Sequence, residues 1–248
     1  MILYRKSGLL IEETWFGEPD SGSADIVYAY QLTSPNPSAQ ENIEFHTLVL
    51  DLRKEPEDLI AGFASNTRNE VRRSEKDGVT ARSFCPAPGE RIQEFVHFYS
   101  EFAAGKGLEP VDPQQLSQMA AEGRLCLSQA VGPDGAVIVW HSYYLHRGRA
   151  RLLLSASLFR ESESKEDRAL IGRANRFLHF EDMKFLRSSG CDTYDFGGWY
   201  HGTEDEGLLR INKFKEGFGG SELTEYHAVI ARTMKGRLGL AAKKMLKR

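Results

Sequence analysis

The most informative pattern in the chain lies at Tyr194–Gly220, YDFGGWYHGTEDEGLLRINKFKEGFGG. It begins as a strand, which we expect to end abruptly at Gly197-Gly198. Trp199, Tyr200 and His201 follow in a predicted loop, and then come a short helix and a second glycine pair. Glycine pairs allow positive φ angles and close approach of a ligand to the backbone. The sequence therefore predicts a binding site in this stretch.

The hydrophobic pattern on either side predicts a mixed α/β fold. From residue 45 onwards it indicates a strand, two helices, a strand, two more helices and a three-stranded antiparallel meander. A long helix over 169–188, a strand at 193–196, a short helix over 207–216 and a strand over 223–231 come next. A mixed α+β sheet with helices on both faces fits this order.

Composition divides the chain into three predicted regions. Residues 1–44 are a β-rich extension expected to pack on the core, residues 45–231 form the main domain, and residues 232–248 form a basic amphipathic helix. Seven Lys and Arg residues lie between Arg232 and Arg248, whereas no Asp or Glu follows Glu225. This helix is expected to touch a membrane surface or a tRNA backbone, or to pack on its own domain.

Bulk properties exclude several classes of function. A net charge of −3 and a pI near 6.2 argue against a general nucleic-acid binder. No run approaches the roughly 18 apolar residues of a membrane span, so no transmembrane segment is expected. The three cysteines, Cys85, Cys126 and Cys191, are isolated and show no zinc spacing. We therefore expect no metal, and a reducing cytoplasm is the default location.

Two motifs together resemble the Fem-type (FemAB-like) aminoacyltransferases that build peptidoglycan bridges. One is DFGG followed by FKxxFGG within Tyr194–Gly220. The other lies in Asp51–Phe84, where Asn-x-x-Arg-Arg precedes Gly-Val. The resemblance covers roughly residues 45 to 230. It implies a GNAT-like acyl-CoA N-acyltransferase fold with one complete module and an N-terminal extension.

The resemblance also implies where catalysis takes place. In such a fold two central parallel strands diverge, here 151–158 and 193–196, and the loops 159–168 and 197–207 form the site. Lys215 matches the Lys of the FKxxFG element, which implies a role at the acyl donor or the transferring carbonyl. Asp195 is a candidate for orienting or deprotonating an amine, and His201 is a candidate base. A solvated lysine, a structural aspartate and an ordinary loop histidine are the alternatives.

Further residues are candidates for binding the substrates. Trp199 and Tyr200 are expected to line the pocket. Arg68 and Arg72 share one helix face at i, i+4, as do Asn175 and His179 on the long helix. The first pair is expected to contact phosphate and the second pair the substrate. A solvated helix face is the alternative for both pairs.

The acyl donor is less well specified than the fold. Acyl-CoA enzymes of this fold usually carry a pyrophosphate loop at the start of the long helix. Arg168–Ala174 resembles this loop, but its spacing is one residue off, so the motif is not matched. Gly172 and Arg173 are the candidates for holding a phosphate there. No covalently bound cofactor is expected, and the donor is either an aminoacyl-tRNA or an acyl-CoA.

The sequence thus predicts a cytoplasmic N-acyltransferase. It would transfer an acyl or aminoacyl group to an amine of a cell-envelope precursor or another amino compound, by direct attack in a ternary complex. Two alternatives remain: a non-catalytic binding module on a GNAT fold, and a conventional acyl-CoA-dependent N-acetyltransferase.

Overall fold

The computed structural model describes residues 1–19, 22–160 and 164–246, and its contacts divide the chain into two units. The first unit combines Met1–Thr47 with Glu222–Arg248, and the second is Leu48–Ser221. Strand β4 passes from the first unit into the second. The predicted domain boundaries at 44/45 and 231/232 differ from these limits and stay a prediction.

The first unit is a sheet with one helix. Its elements are β1 (Ile2–Lys6), β2 (Leu9–Trp15), β3 (Ile26–Leu32), the first part of β4 (Glu41–Asp51), β10 (Ser221–Ala231) and α7 (Met234–Leu246). The strands are ordered β1-β2-β3-β10-β4, with β2 and β3 parallel and β3 and β10 antiparallel. The last strand in sequence therefore lies in the middle of this sheet.

The second unit contains the rest of the elements. In chain order they are α1 (Pro56–Ala61), α2 (Ser65–Lys76), β5 (Thr80–Phe84), α3 (Gly89–Ala104), α4 (Pro113–Ala121), β6 (Leu125–Val131), β7 (Val137–His146), β8 (Arg149–Ser157), a 3-10 turn (Leu158–Arg160), α5 (Lys165–Ser188), β9 (Thr193–Gly198) and α6 (Glu206–Glu216). The strand order is β4-β9-β8-β7-β6-β5. β8 and β9 are parallel, and β5 to β8 form an antiparallel meander.

Helices cover both faces of the second sheet, as predicted. Neighbouring residues of a strand point to opposite faces. On β7, Trp140 packs its ring against Phe95 of α3, while His141 bonds Asp182 of α5. α3 and α5 therefore lie on opposite sides, and the predicted mixed α/β architecture is confirmed.

The cysteines differ from the expectation that all three are isolated. Cys85, just after β5, forms a disulfide with Cys126 on the adjacent strand β6. Cys191 is free and buried. The antiparallel pairing of β5 and β6 brings the Cα atoms of Cys85 and Cys126 to 4.5 Å from each other. The two cysteines are 41 residues apart in the sequence, so their spacing does not predict this contact. Disulfides are rare in a reducing cytosol, so this pair does not support the cytoplasmic prediction, which stays a prediction.

Candidate active site

The parallel strands β8 and β9 separate where the sequence predicts a cleft. They pair over three positions, from Arg149↔Thr193 to Arg151↔Asp195. Beyond these positions β8 continues to Ser157 and β9 to Gly198. β8 also carries one extra residue relative to β7, because Ser142 pairs with Leu154 whereas Tyr143 pairs with Leu152. Such a bulge bends a strand, and it lies just past the last β8–β9 pair.

Asp195 ends this pairing as a fully buried carboxylate that bonds Arg149 and the backbone of Gly197. Its Oδ2 accepts from Nε (2.9 Å) and Nη2 (2.7 Å) of Arg149, and its Oδ1 accepts from the backbone N–H of Gly197 at 2.7 Å. Gly197 has φ +67°, and a Cβ there would lie 3.2 Å from the carbonyl of Leu152. Asp195 thus fixes the glycine turn that follows it. Its predicted part in catalysis stays a prediction.

Lys215 is buried in the last turn of α6, only 8% exposed. Its Nζ donates to the carbonyl oxygens of Gly197 (3.1 Å) and Gly198. Burial lowers the pKa of Lys215 to about 8; Asp195 raises it and Arg151 lowers it further. An ammonium has three N–H donors, and these carbonyls account for two. Lys215 therefore lies at the divergence of the strands rather than in bulk solvent.

Arg151 is the third cation at this site, after Arg149 and Lys215. A Cβ on Gly197 would lie 3.3 Å from its Nη2, so the guanidinium rests directly against the glycine turn. Its Nη1 donates to the carbonyl of Leu152 at 3.0 Å. Arg149, Arg151 and Lys215 surround the carboxylate of Asp195. The charges of this cluster favour an anion or a developing negative charge.

The aromatic loop is fastened by a residue that the sequence did not single out. Asn212 on α6 accepts from the backbone N–H of Tyr200 (3.1 Å) and donates to its carbonyl (2.7 Å). Trp199 packs against the apolar core, whereas His201 is exposed. The two pocket-wall candidates are therefore held in place, and His201 faces solvent.

Backbone geometry explains the second glycine pair, Gly219-Gly220. Gly219 and Gly220 have φ +75° and +100°. A Cβ on Gly220 would lie 2.6 Å from the carbonyl of Val49. No other residue fits this contact without backbone movement.

A cleft of about 350 Å³ has Phe214, the residue before Lys215, in its wall. Its walls come from α3, the end of β8, α5 and α6: Phe102, Lys106, Ser157, Phe159, Ile171, Gly172, Asn175, Arg176 and Phe214. Arg176 pairs with Glu70 (2.9 Å) and lies 4.7 Å from the ring centre of Phe214. Burial lowers the pKa of Arg176, while Glu70 raises it. The predicted loop 159–168 reaches this cleft at Phe159, but residues 161–163 lie outside the described part of the chain.

A buried polar chain runs from this cleft into the core. Asn175 lines the cleft, and its Oδ1 lies 2.8 Å from Nε2 of His141. His141 Nδ1 lies 2.7 Å from Oδ2 of Asp182, which also accepts from the hydroxyl of Tyr143 at 2.6 Å. His141, Asp182 and Tyr143 are all buried. These three residues hold the side chain of Asn175 at the wall of the cleft.

The chain continues from Tyr143 to His179. The hydroxyls of Tyr143 and Tyr194 lie 2.8 Å apart, and Tyr194 Oη lies 2.6 Å from Nδ1 of His179. Burial raises the pKa of both tyrosines well above its usual value. Burial also lowers the pKa of His179 well below its usual value, helped by His141, Lys215 and Arg176. His179 is thus an interior residue, and its predicted substrate contact would have to be indirect.

Three of these side chains could in principle hold a metal. His141, His179 and Asp182 offer ligand atoms within 4.8 Å of one another. However, Nδ1 of His141 and Nδ1 of His179 already have hydrogen-bond partners within the chain. The hydrogen bonds explain this cluster without an ion, and the predicted lack of a metal stays a prediction.

The remaining arginine candidates are engaged or exposed. Arg68 donates to the carbonyls of Phe63 and Ala61, so it fastens the start of its own helix. Arg72 is exposed. Arg173 binds Asp77 through Nε (3.0 Å) and Nη2 (2.6 Å). Gly172 lines the cleft. Their roles towards phosphate stay predictions.

Among the described residues, no helix is both long and apolar enough to cross a membrane. No protein-family model matches the sequence, and no curated protein matches it at a significant level.

Solved structures share the fold. FemX superposes with a TM-score of 0.60 at 15% identity, over 75% of this chain and 62% of FemX. The C-terminal DUF2156 domain of a protein from Agrobacterium fabrum, named as a lysylphosphatidylglycerol synthetase, gives 0.54 at 14% identity, over 89% of this chain and 72% of that one. L-PGS from Bacillus licheniformis gives a TM-score of 0.53 at 13% identity, over 88% of this chain and 72% of that one. The chain therefore has the fold of FemX, and the predicted Fem-like fold is confirmed. The aligned region spans less than two thirds of the length of FemX.

Proposed function

We propose that this protein is a Fem-like N-acyltransferase. It transfers an acyl or aminoacyl group to an amine of a cell-envelope precursor or another amino compound. The observation that carries the proposal is the position of Lys215. In a chain with the fold of FemX, this buried lysine lies beside Asp195 and Arg151 where β8 and β9 diverge.

The proposed reaction is a direct transfer. The acceptor amine attacks the acyl carbonyl, the new C–N bond forms, and the ester or thioester bond to the donor breaks. The amine proton goes to solvent or to the leaving group. The third N–H of Lys215 stabilises the negative charge that develops on the carbonyl oxygen.

The cysteines support the lack of a covalent enzyme intermediate. Cys85 and Cys126 form a disulfide. Burial raises the pKa of Cys191 to about 11, with Asp192 adding to the effect. A thiol that stays protonated at neutral pH is a poor nucleophile.

The cleft that Phe214 lines, next to Lys215 in the chain, is the proposed place for the donor. Its mixed lining joins Phe102, Phe159 and Phe214 to the cations Lys106 and Arg176. Either an aminoacyl-tRNA end or an acyl-CoA would bring an anionic part and an acyl chain to such a cleft. Trp199, Tyr200 and Asn175 are the proposed contacts with the reacting groups.

A binding module without catalysis is the second candidate. It is favoured by the number of cations already engaged within the chain. Lys215 holds two carbonyls, Arg173 holds Asp77 and Arg68 holds the turn before its helix. In this case Lys215 would serve only to fasten β9 to α6.

Transfer assays decide between these functions. The purified protein would be given radiolabelled acetyl-CoA, longer acyl-CoAs or aminoacyl-tRNA with a panel of amines, and product would be counted. Lys215→Ala should lower kcat/KM about 100-fold or more, the usual loss for one preorganised donor. Lys213→Ala, an exposed lysine of the same helix, is the matched control and should stay within about twofold of the native rate. Product formed at equal rates by the native protein and Lys215→Ala would refute the role of Lys215, and no product from the native protein with any donor would favour the binding module.

A further inference from the structure

Helix α7 of the first unit is attached to its sheet by a glycine face. A Cβ on Gly236 would lie 2.1 Å from the carbonyl of Asp25, and a Cβ on Gly239 would lie 2.6 Å from Cδ1 of Leu9. Thr233 donates to the carboxylate of Asp25 at 2.6 Å. This face is therefore the packed side of the helix, and at Gly236 the backbone of Asp25 leaves no room for a side chain.

The opposite side of α7 presents large apolar side chains to water. Met234, Leu238 and Met245 are 69%, 68% and 77% exposed. At 3.6 residues per turn they lie about 160–200° around the axis from Gly236. They are more exposed than any other large hydrophobic side chain among the described residues. These three residues form a crest that packing within the first unit does not explain.

Basic residues flank the crest on both sides. Lys235 lies on one side, and Arg237 and Lys244 lie on the other, each about 80–100° from Gly236. All three are exposed. No acidic residue follows Glu225 in the sequence. The helix thus combines an apolar crest with cationic borders, the pattern of helices that lie in the plane of a membrane interface.

A cleft beneath the helix extends the cationic surface. It measures about 890 Å³ and is lined by three cations, Arg237, Lys243 and Lys244, by one carboxylate, Glu41, and by apolar residues such as Val229 and Leu240. A phosphate group could approach these cations while an acyl chain meets the apolar floor.

We propose that α7 docks the protein on an anionic phospholipid surface. The crest enters the apolar side of the interface, and the basic residues reach the lipid phosphates through their flexible stems. A nucleic acid is a poorer fit, because its phosphates would satisfy the cations and leave the crest in water. This inference concerns the first unit and does not depend on the proposed reaction.

Vesicle co-sedimentation of the full chain tests the proposal. The protein is expected to bind phosphatidylcholine vesicles containing about 30% phosphatidylglycerol, and to bind pure phosphatidylcholine at least about tenfold more weakly. Binding should fall as salt rises from about 0.1 M to about 1 M, since the Debye length shrinks from about 10 to 3 Å. No binding to the anionic vesicles at low salt would overturn the proposal.

Variants separate the crest from charge alone. Changing Met234, Leu238 and Met245 together to Ser should weaken vesicle binding at least about tenfold, because their side chains no longer enter the apolar layer. The matched control changes exposed apolar residues elsewhere to Ser: Ile43, Leu108 and Ile211, each 48% exposed. It should bind like the native protein. Native binding by the crest variant would overturn the proposal.

Two further measurements distinguish other occupants of the crest. Sedimentation velocity should show the same mass for the native protein and the crest variant, and a dimer lost in the variant would assign the crest to a second copy instead. Excess tRNA should not displace the protein from vesicles more than simple salt does at the same ionic strength. Crest-dependent binding of tRNA in the absence of lipid would also overturn the proposal.

Discussion

Replacing Lys215 with Met should remove a buried charge that lowers the free energy of unfolding. Burial lowers the pKa of Lys215 from 10.5 to about 8. One pKa unit corresponds to about 1.4 kcal/mol, so the folded state disfavours the charged form by about 3 kcal/mol relative to the unfolded chain. Met has a similar length and no charge, so Lys215→Met removes this term entirely.

The size of the effect depends on pH in a defined direction. Because the folded pKa is the lower one, the unfolded chain binds more protons between about pH 8 and 10.5. The penalty is fully present below about pH 8 and is lost as the pH rises towards 10.5. The native protein should therefore gain about 3 kcal/mol relative to Lys215→Met across this window.

At pH 7 the two proteins should differ less. Met gains about 3 kcal/mol from the missing charge, but it leaves the carbonyls of Gly197 and Gly198 without their donor, at about 1–3 kcal/mol each. The two opposing terms are of similar size, so the difference in the free energy of unfolding at pH 7 alone does not test the argument. The change of the difference with pH is the informative quantity, since the two carbonyls do not titrate.

Denaturant unfolding of both proteins at a series of pH values measures this quantity, and the ¹³Cε shift of Lys215 reports its pKa directly. Lys213→Met is the matched control, because Lys213 is exposed on the same helix. Its difference from the native protein over the same pH values is the baseline. A Lys215→Met difference that follows this baseline would refute the burial argument and, with it, the pKa near 8.

Two further substitutions test the framework of the site. Asp195→Asn should cost about 3–5 kcal/mol by thermal or denaturant unfolding, because Arg149 is left without its buried carboxylate; a loss below about 1 kcal/mol would be expected of an exposed pair instead. Gly220→Ala should cost about 2 kcal/mol or more, since its φ is +100° and the new Cβ would meet the carbonyl of Val49. Gly89→Ala, where a Cβ meets nothing within 4 Å, should be neutral or stabilising, and similar losses for the two would contradict the steric argument.

Periodicity located the elements well wherever one face is apolar. The first strand of the predicted meander is observed as β6 at Leu125–Val131, where every residue is buried. α5 begins at Lys165, four residues before the prediction, because Ser164 caps it by accepting from the N–H of Asp167. The turn that precedes Ala169 is charged, so an apolar pattern cannot reveal it. β4 begins at Glu41 rather than at residue 45 for a related reason: its first four residues are exposed.

The candidate site was predicted only in part, because much of it rests on distant partners. The DFGG and FKxxFGG motifs located Lys215 and Asp195, but not Arg149, whose role depends on the register of β8 and β9. His141 and Asp182 are 41 residues apart, and the sequence carries only weak signals that they are buried together. His141 and Tyr143 share a strand face, and Asp182 extends the helix face of Asn175 and His179 by a further turn.

The position of β10 in the middle of the first sheet has a consequence for biosynthesis. Residues 48–221 are made between the first part of β4 and the rest of β10, which at about 5–20 residues per second takes on the order of 10–30 s. During this interval β3 has no neighbour on the side that β10 later fills, and an unpaired strand edge is a template for aggregation. The second unit has all its segments in one continuous stretch and can fold while the chain is still growing. Conditions that slow translation near residue 222 should therefore reduce the yield of soluble protein more than a pause of equal length within the second unit.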